Sequence, residues 1–396
     1  MSSVNLNILL YLVPLLVYWS RYRRFDFYVL IMLLYMVTAT MCSLFYHQEP
    51  YEFKNTTFLG FLYLFLVLYI MFLPIKGKSI DARSFIIIDN NTLKILSYIF
   101  IVASFTGLMM SIPRITETFQ TGDWGAIRNL HDEDEIVYYS SQGERLAKNI
   151  GSYLTPFGLV YAFYQLSKPK IKKAFVFLLF SAIIVPTFFE ATIEASRGML
   201  MHLMINLGIT YMLFRPIIPQ TRKKIVYSIT LVIVAVFLTY SLAVTVSRFG
   251  EDRANSSLFM YFGHSMLAFN DGIFNSMHSY AGGKRFFYWF IELFGGNPAF
   301  SSASLGSTAG TAFFTIVGGM YIDWGPWGTI VAAIIACFIA NNWFRRKTIM
   351  LSDTVVMVFY LSTLANGIFV FGKGRALYWF MTFVVYLIVR QSERIK

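Results

Sequence analysis

Arginine and lysine stand beside glycine where several apolar runs of this chain end. Ser196-Arg197-Gly198 separates two such runs, Ser247-Arg248-Phe249-Gly250-Glu251-Asp252-Arg253 closes another, and Gly372-Lys373-Gly374-Arg375 joins two more. Guanidinium forks match phosphate oxygens two at a time, and a glycine neighbour lets backbone approach a ligand closely. A pyrophosphate held near lipid headgroups needs several such donors, and Arg197, Arg248, Arg253, Lys373 and Arg375 are the candidates to bind it. The competing reading gives each cation a local acid: Arg197 with Glu190 or Glu194, and Arg248 and Arg253 with Glu251 or Asp252. Three separate connections of the same kind favour convergence on an anion.

Groups able to take a proton lie nearby in sequence. His264 and His278 have unperturbed pKa values near neutrality, and Asp271 and Glu194 are alternative bases, so His264, Asp271 and Glu194 are the catalytic candidates. The bland alternative for the histidines is packing among Tyr261, Phe262, Phe269 and Phe274; for the carboxylates it is ion pairing. His202 fits a hydrogen-bonded core position. Asp132-Glu133-Asp134-Glu135 reads as a solvated loop rather than a divalent-metal site, and the two cysteines, Cys42 and Cys337, fall in apolar stretches. No metal and no cofactor is expected. Aromatic clusters such as Tyr138-Tyr139, Tyr261-Phe262 and Phe286-Phe287-Tyr288-Trp289-Phe290 suit an interfacial belt, or a groove against the apolar faces of sugar rings. The stretch 286–294 is apolar on nearly every side and suits the membrane interface beside a lipid tail.

The elements that carry these residues follow from composition. Of 396 residues, 57% are hydrophobic and 14% charged, with mean hydropathy +0.58, too apolar for a water-soluble chain of this length. Apolar runs between charge clusters, able to cross a hydrocarbon core of about 30 Å, fall at 4–19, 27–45, 57–73, 93–112, 150–166, 174–193, 199–214, 225–246, 327–344, 354–371 and 376–389. An all-α polytopic membrane protein with about eleven transmembrane helices is the expectation. The first run lacks a basic leader and a small-residue cleavage site and is followed by Arg21, Arg23 and Arg24, so it reads as retained.

Basic residues hold helix ends on the cytoplasmic side, which gives an N-out, C-in orientation. Most of the 33 Lys and Arg then lie inside, and the net +12 expresses topology rather than nucleic-acid binding. Two large loops, 113–149 and 247–310, face outward, within a single integral membrane domain spanning 1–396. Loops of that length usually do something. The run 311–321 is too short to span and either extends the ninth helix or dips back into the membrane.

Two elements resemble a known family. Ser196-Arg197-Gly198 is similar to the S-R-G element of the Wzy-type O-antigen and capsule repeat-unit polymerases, and Thr311-Ala312-Phe313-Phe314 through Gly318-Gly319-Met320-Tyr321-Ile322-Asp323-Trp324-Gly325-Pro326-Trp327-Gly328 resembles their late Gly- and aromatic-rich turn before a span. Those proteins are relatives of the O-antigen ligases in the GT-C glycosyltransferase group. The resemblance implies a GT-C-like fold in the bacterial inner membrane and metal-independent block transfer on the periplasmic face. A growing glycan leaves undecaprenyl pyrophosphate and joins the terminal hydroxyl of a lipid-linked repeat unit. Implied partners are undecaprenyl-pyrophosphate-linked glycans, membrane lipid, a chain-length regulator and a flippase, with no nucleic acid. The ligase relatives use a loop histidine as base, but their full histidine pattern is not evident here. An O-antigen ligase is the nearest alternative, and a flippase or transporter of lipid-linked oligosaccharide is the alternative from another class.

Overall fold

The computed structural model describes residues 2–48, 53–78, 85–86, 90–122, 141–249, 254–296, 314–346, 348–369 and 376–394. The chain is all-α. Helices run over Ser3–Tyr22 (α1), Phe27–Gln48 (α2), Phe58–Phe72 (α3), Asn91–Met110 (α4), Ile112–Thr121 (α5), Gln142–Ser167 (α6), Lys173–Ile193 (α7), Arg197–Phe214 (α8) and Gln220–Phe249 (α9). They continue with Ala254–Ala268 (α10), a π-helical turn at Phe269–Phe274, Tyr288–Leu293 (α11), Ile316–Phe344 (α12), Leu351–Asn366 (α13) and Ala376–Arg394 (α14). Among the described residues the only strands are the two-residue β1 (Phe85–Ile86) and β2 (Ile349–Met350), paired in parallel.

Each of the eleven expected apolar runs coincides with a helix. Among the described residues six helices are long and apolar enough to cross a membrane: α1, α2, α4, α7, α9 and α12; α3 and α13 are shorter apolar helices. Several starts are set by side-chain caps that satisfy a first-turn amide. Thr57 Oγ1 accepts from Gly60 N on α3, Asn90 Oδ1 from Leu93 N on α4, Ser141 Oγ from Glu144 N on α6, and Thr315 Oγ1 from Gly318 N on α12.

The expected outer loops are less irregular than their charge pattern suggests. Helix α5 and the first turns of α6 lie within 113–149; α10, the π turn and α11 lie within 247–310. These pieces mix polar and apolar residues, so a reading based on charge-free runs passes over them. Residues 316–321 extend the ninth apolar helix, as one of the two expectations held, while 311–313 lie outside the described residues.

The chain forms two compact units, each made of separated segments. One comprises Met1–Ser79, Asn255–Arg346 and Thr363–Phe380. In it α1 packs on α2 and α3, and α12 packs on α3 and the π turn. Gly263 lets α10 approach α2 backbone to backbone: a Cβ there would stand 2.6 Å from Cys42 N and Met41 O. The other unit comprises Ile80–Ala254, Lys347–Ser362 and Met381–Lys396. Its helices form a bundle in which α4 lies on α6 and α7, α6 on α7 and α8, and α8 on α9. At one end of this unit Asn90 Nδ2 donates to Ser392 O (2.8 Å) and Ser352 Oγ donates to Glu393 Oε2 (2.7 Å), tying α4 and α13 to the end of α14.

Candidate functional site

In the α4–α9 bundle, α7 and α8 are joined by a three-residue turn, 194–196. Ser196 N donates to Ala191 O (2.8 Å) and Ala195 N to Thr192 O (3.2 Å), with Ala195 at φ 44°. This is a Schellman ending in which alanine occupies the left-handed position that glycine normally fills. Helix α8 starts two residues later, so the turn sets Arg197 in its first turn at a fixed angle. Arg197 is 9% exposed, and its Nη1 donates to Thr245 Oγ1 of α9. Thr245 is three residues before Arg248, which therefore sits one helical turn further along α9. Tyr240 Oη of the same helix donates to Ala191 O (2.7 Å), clamping the end of α7.

A charged network lies at this same end of the bundle. Glu144, fully buried at the start of α6, accepts from Ser111 Oγ (2.9 Å) and pairs with Arg114 of α5 and with Lys148 Nζ (3.0 Å). Lys148 also pairs with Glu190 of α7 at 2.8 Å. Glu190, one of the acids expected to pair with Arg197, is thus engaged by Lys148. Glu194 is half-buried in the α7–α8 turn, and its charge also acts on Lys148. Arg114 escaped the sequence reading because Glu144 lies 30 residues away in another helix, and Lys148 because Glu190, one of its two acids, lies 42 residues away.

The other unit holds the remaining base candidates. His264 lies on α10, half-buried, with its ring centroid 5.6 Å from that of Phe53 and 6.2 Å from that of Phe45. Aromatic packing was the bland expectation, although these two rings come from an earlier part of the chain than the ones named. Asp271 sits in the π turn, 5% exposed, where Oδ1 accepts from Asn55 N (2.5 Å). Its neighbours complete a latch on 55–57: Asn270 bonds Thr57 through both side-chain atoms (2.9 and 2.7 Å), and Asn275 Nδ2 donates to Asn55 O (2.7 Å). A π turn offers this geometry because its extra residue rotates successive side chains out of helical register, and such turns often mark functional positions. His278 is exposed and His202 lies half-buried on α8.

The Gly- and aromatic-rich turn is a kink within α12. Gly325 takes φ 67° and ψ −171°, and Pro326 follows. A Cβ at Gly325 would stand 2.8 Å from the Tyr280 ring. The break leaves carbonyls for other partners: Ile322 O accepts from Ala281 N (2.8 Å), Asp323 O from Gly283 N (3.1 Å), and Pro326 O from Tyr63 Oη (2.6 Å). Asp323 is fully buried, and its Oδ1 accepts from Arg285 N (3.0 Å). The motif acid therefore shapes the 281–285 segment, and the guanidinium of Arg285 lies 4.8 Å from the Phe314 ring. Tyr63, Phe269, Phe274 and Tyr280 surround Tyr321 with ring centroids between 5.7 and 6.0 Å. Along 286–294 only 288–293 is helical, and Leu293 and Phe294 are 76% and 83% exposed.

Arg253, Lys373 and Arg375 lie outside the described residues, as do Glu251, Asp252, Tyr138-Tyr139 and the Asp132–Glu135 run; for Arg248 only the backbone position is described. Ala376, next after Arg375, donates its amide to Phe286 O (3.0 Å). Of the five anion candidates, the structure thus places Arg197 by its side chain and Arg248 by its helix turn. No family model, curated protein or solved structure matches the chain. The helices define a class: an all-α, multi-pass membrane protein.

Proposed function

We propose that the chain is a repeat-unit polymerase that moves a glycan from undecaprenyl pyrophosphate to the terminal hydroxyl of a lipid-linked repeat unit. In this reading it crosses the bacterial cytoplasmic membrane eleven times, N-terminus out and C-terminus in, and works on the periplasmic face. One observation carries most weight. Arg197 is a nearly buried guanidinium in the first turn of α8, braced by Thr245 one turn before Arg248. A cation buried at a helix N-terminus concentrates positive potential where the peptide dipoles already favour an anion.

The chemistry follows from the charges. The acceptor hydroxyl attacks the anomeric carbon of the donor glycan, the bond from that carbon to the pyrophosphate oxygen breaks, and the lipid pyrophosphate departs with the bonding electrons. Arg197 and Arg248, with Arg253, Lys373 and Arg375, stabilise the charge growing on the departing group, where preorganised donors contribute most. The base that takes the hydroxyl proton comes from Glu194, His264 and Asp271. Glu194 is the one this geometry favours, because it lies in the same turn as Arg197. No nucleotide sugar takes part.

The runner-up readings are separable by experiment. A flippase or transporter needs charge in mid-membrane, whereas the ion pairs described here gather at helix ends. In a deletion strain, a polysaccharide gel lacking everything above one repeat unit identifies a polymerase. Finished polymer not joined to its acceptor identifies a ligase, and repeat units never translocated identify a flippase. Complementation with Arg197→Ala, inserted and expressed at the wild-type level, should leave the single-unit pattern. A full ladder from that variant would remove the pyrophosphate assignment.

A further inference from the structure

The α4–α9 bundle has a second feature at the opposite end from Arg197. A cleft of about 320 Å³ opens between the end of α6, the start of α7, the later half of α8 and the start of α9. Its walls are mostly Leu, Ile, Val, Phe and Met side chains, with Tyr211, Tyr227 and Thr230, and Lys173 is its one charged lining residue. Gly208 leaves open space on the α8 wall, since a Cβ there would meet nothing within 4 Å. The mouth faces sideways: Phe177 is 74% exposed and Ile225 is 52% exposed. Helix α9 buries only 17% of its apolar window, so the cleft opens onto a surface already suited to hydrocarbon.

The sequence around the rim is basic. Lys168, Lys170, Lys172 and Lys173 lie between α6 and α7, and Arg215, Arg222, Lys223 and Lys224 between or beside α8 and α9; no Asp or Glu occurs in 145–189 or 195–250. Arg222 is committed to structure, donating to Leu166 O and Pro169 O (both 2.8 Å) and to Lys168 O. It holds the 168–173 turn over the mouth of the cleft. Lys170, Lys172 and Lys173 are exposed, and Arg215 acts electrostatically on Tyr211, a lining residue whose ring meets Tyr227 at 5.7 Å.

We infer that this cleft holds one acyl chain of an anionic phospholipid whose phosphate rests among Lys173, Arg215 and the exposed lysines of the 168–173 turn. An apolar slot explains the chain and the exposed basic residues at its rim explain the headgroup; basic recesses between membrane helices recognise anionic lipids in this way. The lipid acts as a wedge that completes the packing of α9, the helix with the least buried surface in the bundle. This site is separate from the Arg197 end and does not depend on the activity proposed for it.

The test uses the full-length protein, purified in mild detergent and titrated with dioleoyl phosphatidylglycerol or dioleoyl phosphatidylcholine, with bound lipid counted by native mass spectrometry and Tm followed in parallel. Wild type should retain phosphatidylglycerol at least severalfold better than phosphatidylcholine and gain several degrees of Tm from it. Gly208→Leu, which fills the cleft and improves helix propensity, should retain about tenfold less and gain nothing from added lipid. K173Q combined with R215Q should erase the preference between headgroups. Equal retention of both lipids by wild type overturns the proposal. Undiminished retention by Gly208→Leu overturns it as well, and so does displacement of phosphatidylglycerol by an equimolar isoprenyl phosphate.

Discussion

Asp271 and Glu194 carry the same functional group in different settings, and the difference decides what each substitution should do. Asp271 spends Oδ1 on Asn55 N inside a latch of three polar side chains. Asp271→Asn keeps an acceptor there, so the latch and the polysaccharide ladder should both survive. Asp271→Ala leaves a part-buried amide without its partner and should cost about 1–3 kcal/mol in unfolding experiments. Glu194→Gln should leave Tm within a degree and reduce polymer length, visible on the same gel. A full ladder from Glu194→Gln together with loss of polymer in Asp271→Asn would exchange their roles. Glu144 belongs to neither class. It is a fully buried anion between Arg114 and Lys148, and removing it takes a buried counter-charge from both, so Glu144→Ala should destabilise by about 3–5 kcal/mol, measured by thermal unfolding in detergent. Arg197 was legible in sequence because an arginine at the border of two apolar runs is conspicuous. Asp271, Asp323 and Glu144 were legible only as acids, because their partners at 55, 285 and 114 are remote in sequence and no local pattern points to them.

Helices were the most legible level, since a charge-free run of membrane length has few other solutions. What a run cannot show is how its end is shaped. The left-handed Ala195 that aims Arg197, the π turn at Phe269–Phe274 and the kink at Gly325 each depend on backbone geometry set by tertiary neighbours. Non-glycine residues in the left-handed region store energy, commonly at functional sites. Ala195→Gly should therefore stabilise the protein by about 1 kcal/mol and raise its Tm, with glycine's greater freedom in the unfolded chain offsetting part of the gain. An unchanged or lowered Tm would mean the turn is not strained. The helices inside 113–149 and 247–310 were less legible for other reasons: α5 is short and mixed in polarity, α10 begins beside charged residues, and α11 is a short piece of the apolar stretch 286–294.

At the scale of the molecule, composition alone was enough for the class, and the described helices bear that out: six of membrane length, all-α, with a single two-residue strand pair. The division of the chain into two units assembled from interleaved segments was not legible, because nothing in a run of apolar residues states which other run it packs against. The proposed activity rests on cations from different connections serving one anion. The most direct test is reconstitution of the purified chain in liposomes with undecaprenyl-pyrophosphate-linked repeat units as the sole substrate, in the presence of a metal chelator. A ladder of multimers should form, with one undecaprenyl pyrophosphate released per bond, and Arg197→Ala should give only the single unit. A correctly inserted wild-type protein that forms no ladder, or forms one only when nucleotide sugar is supplied, would contradict the account.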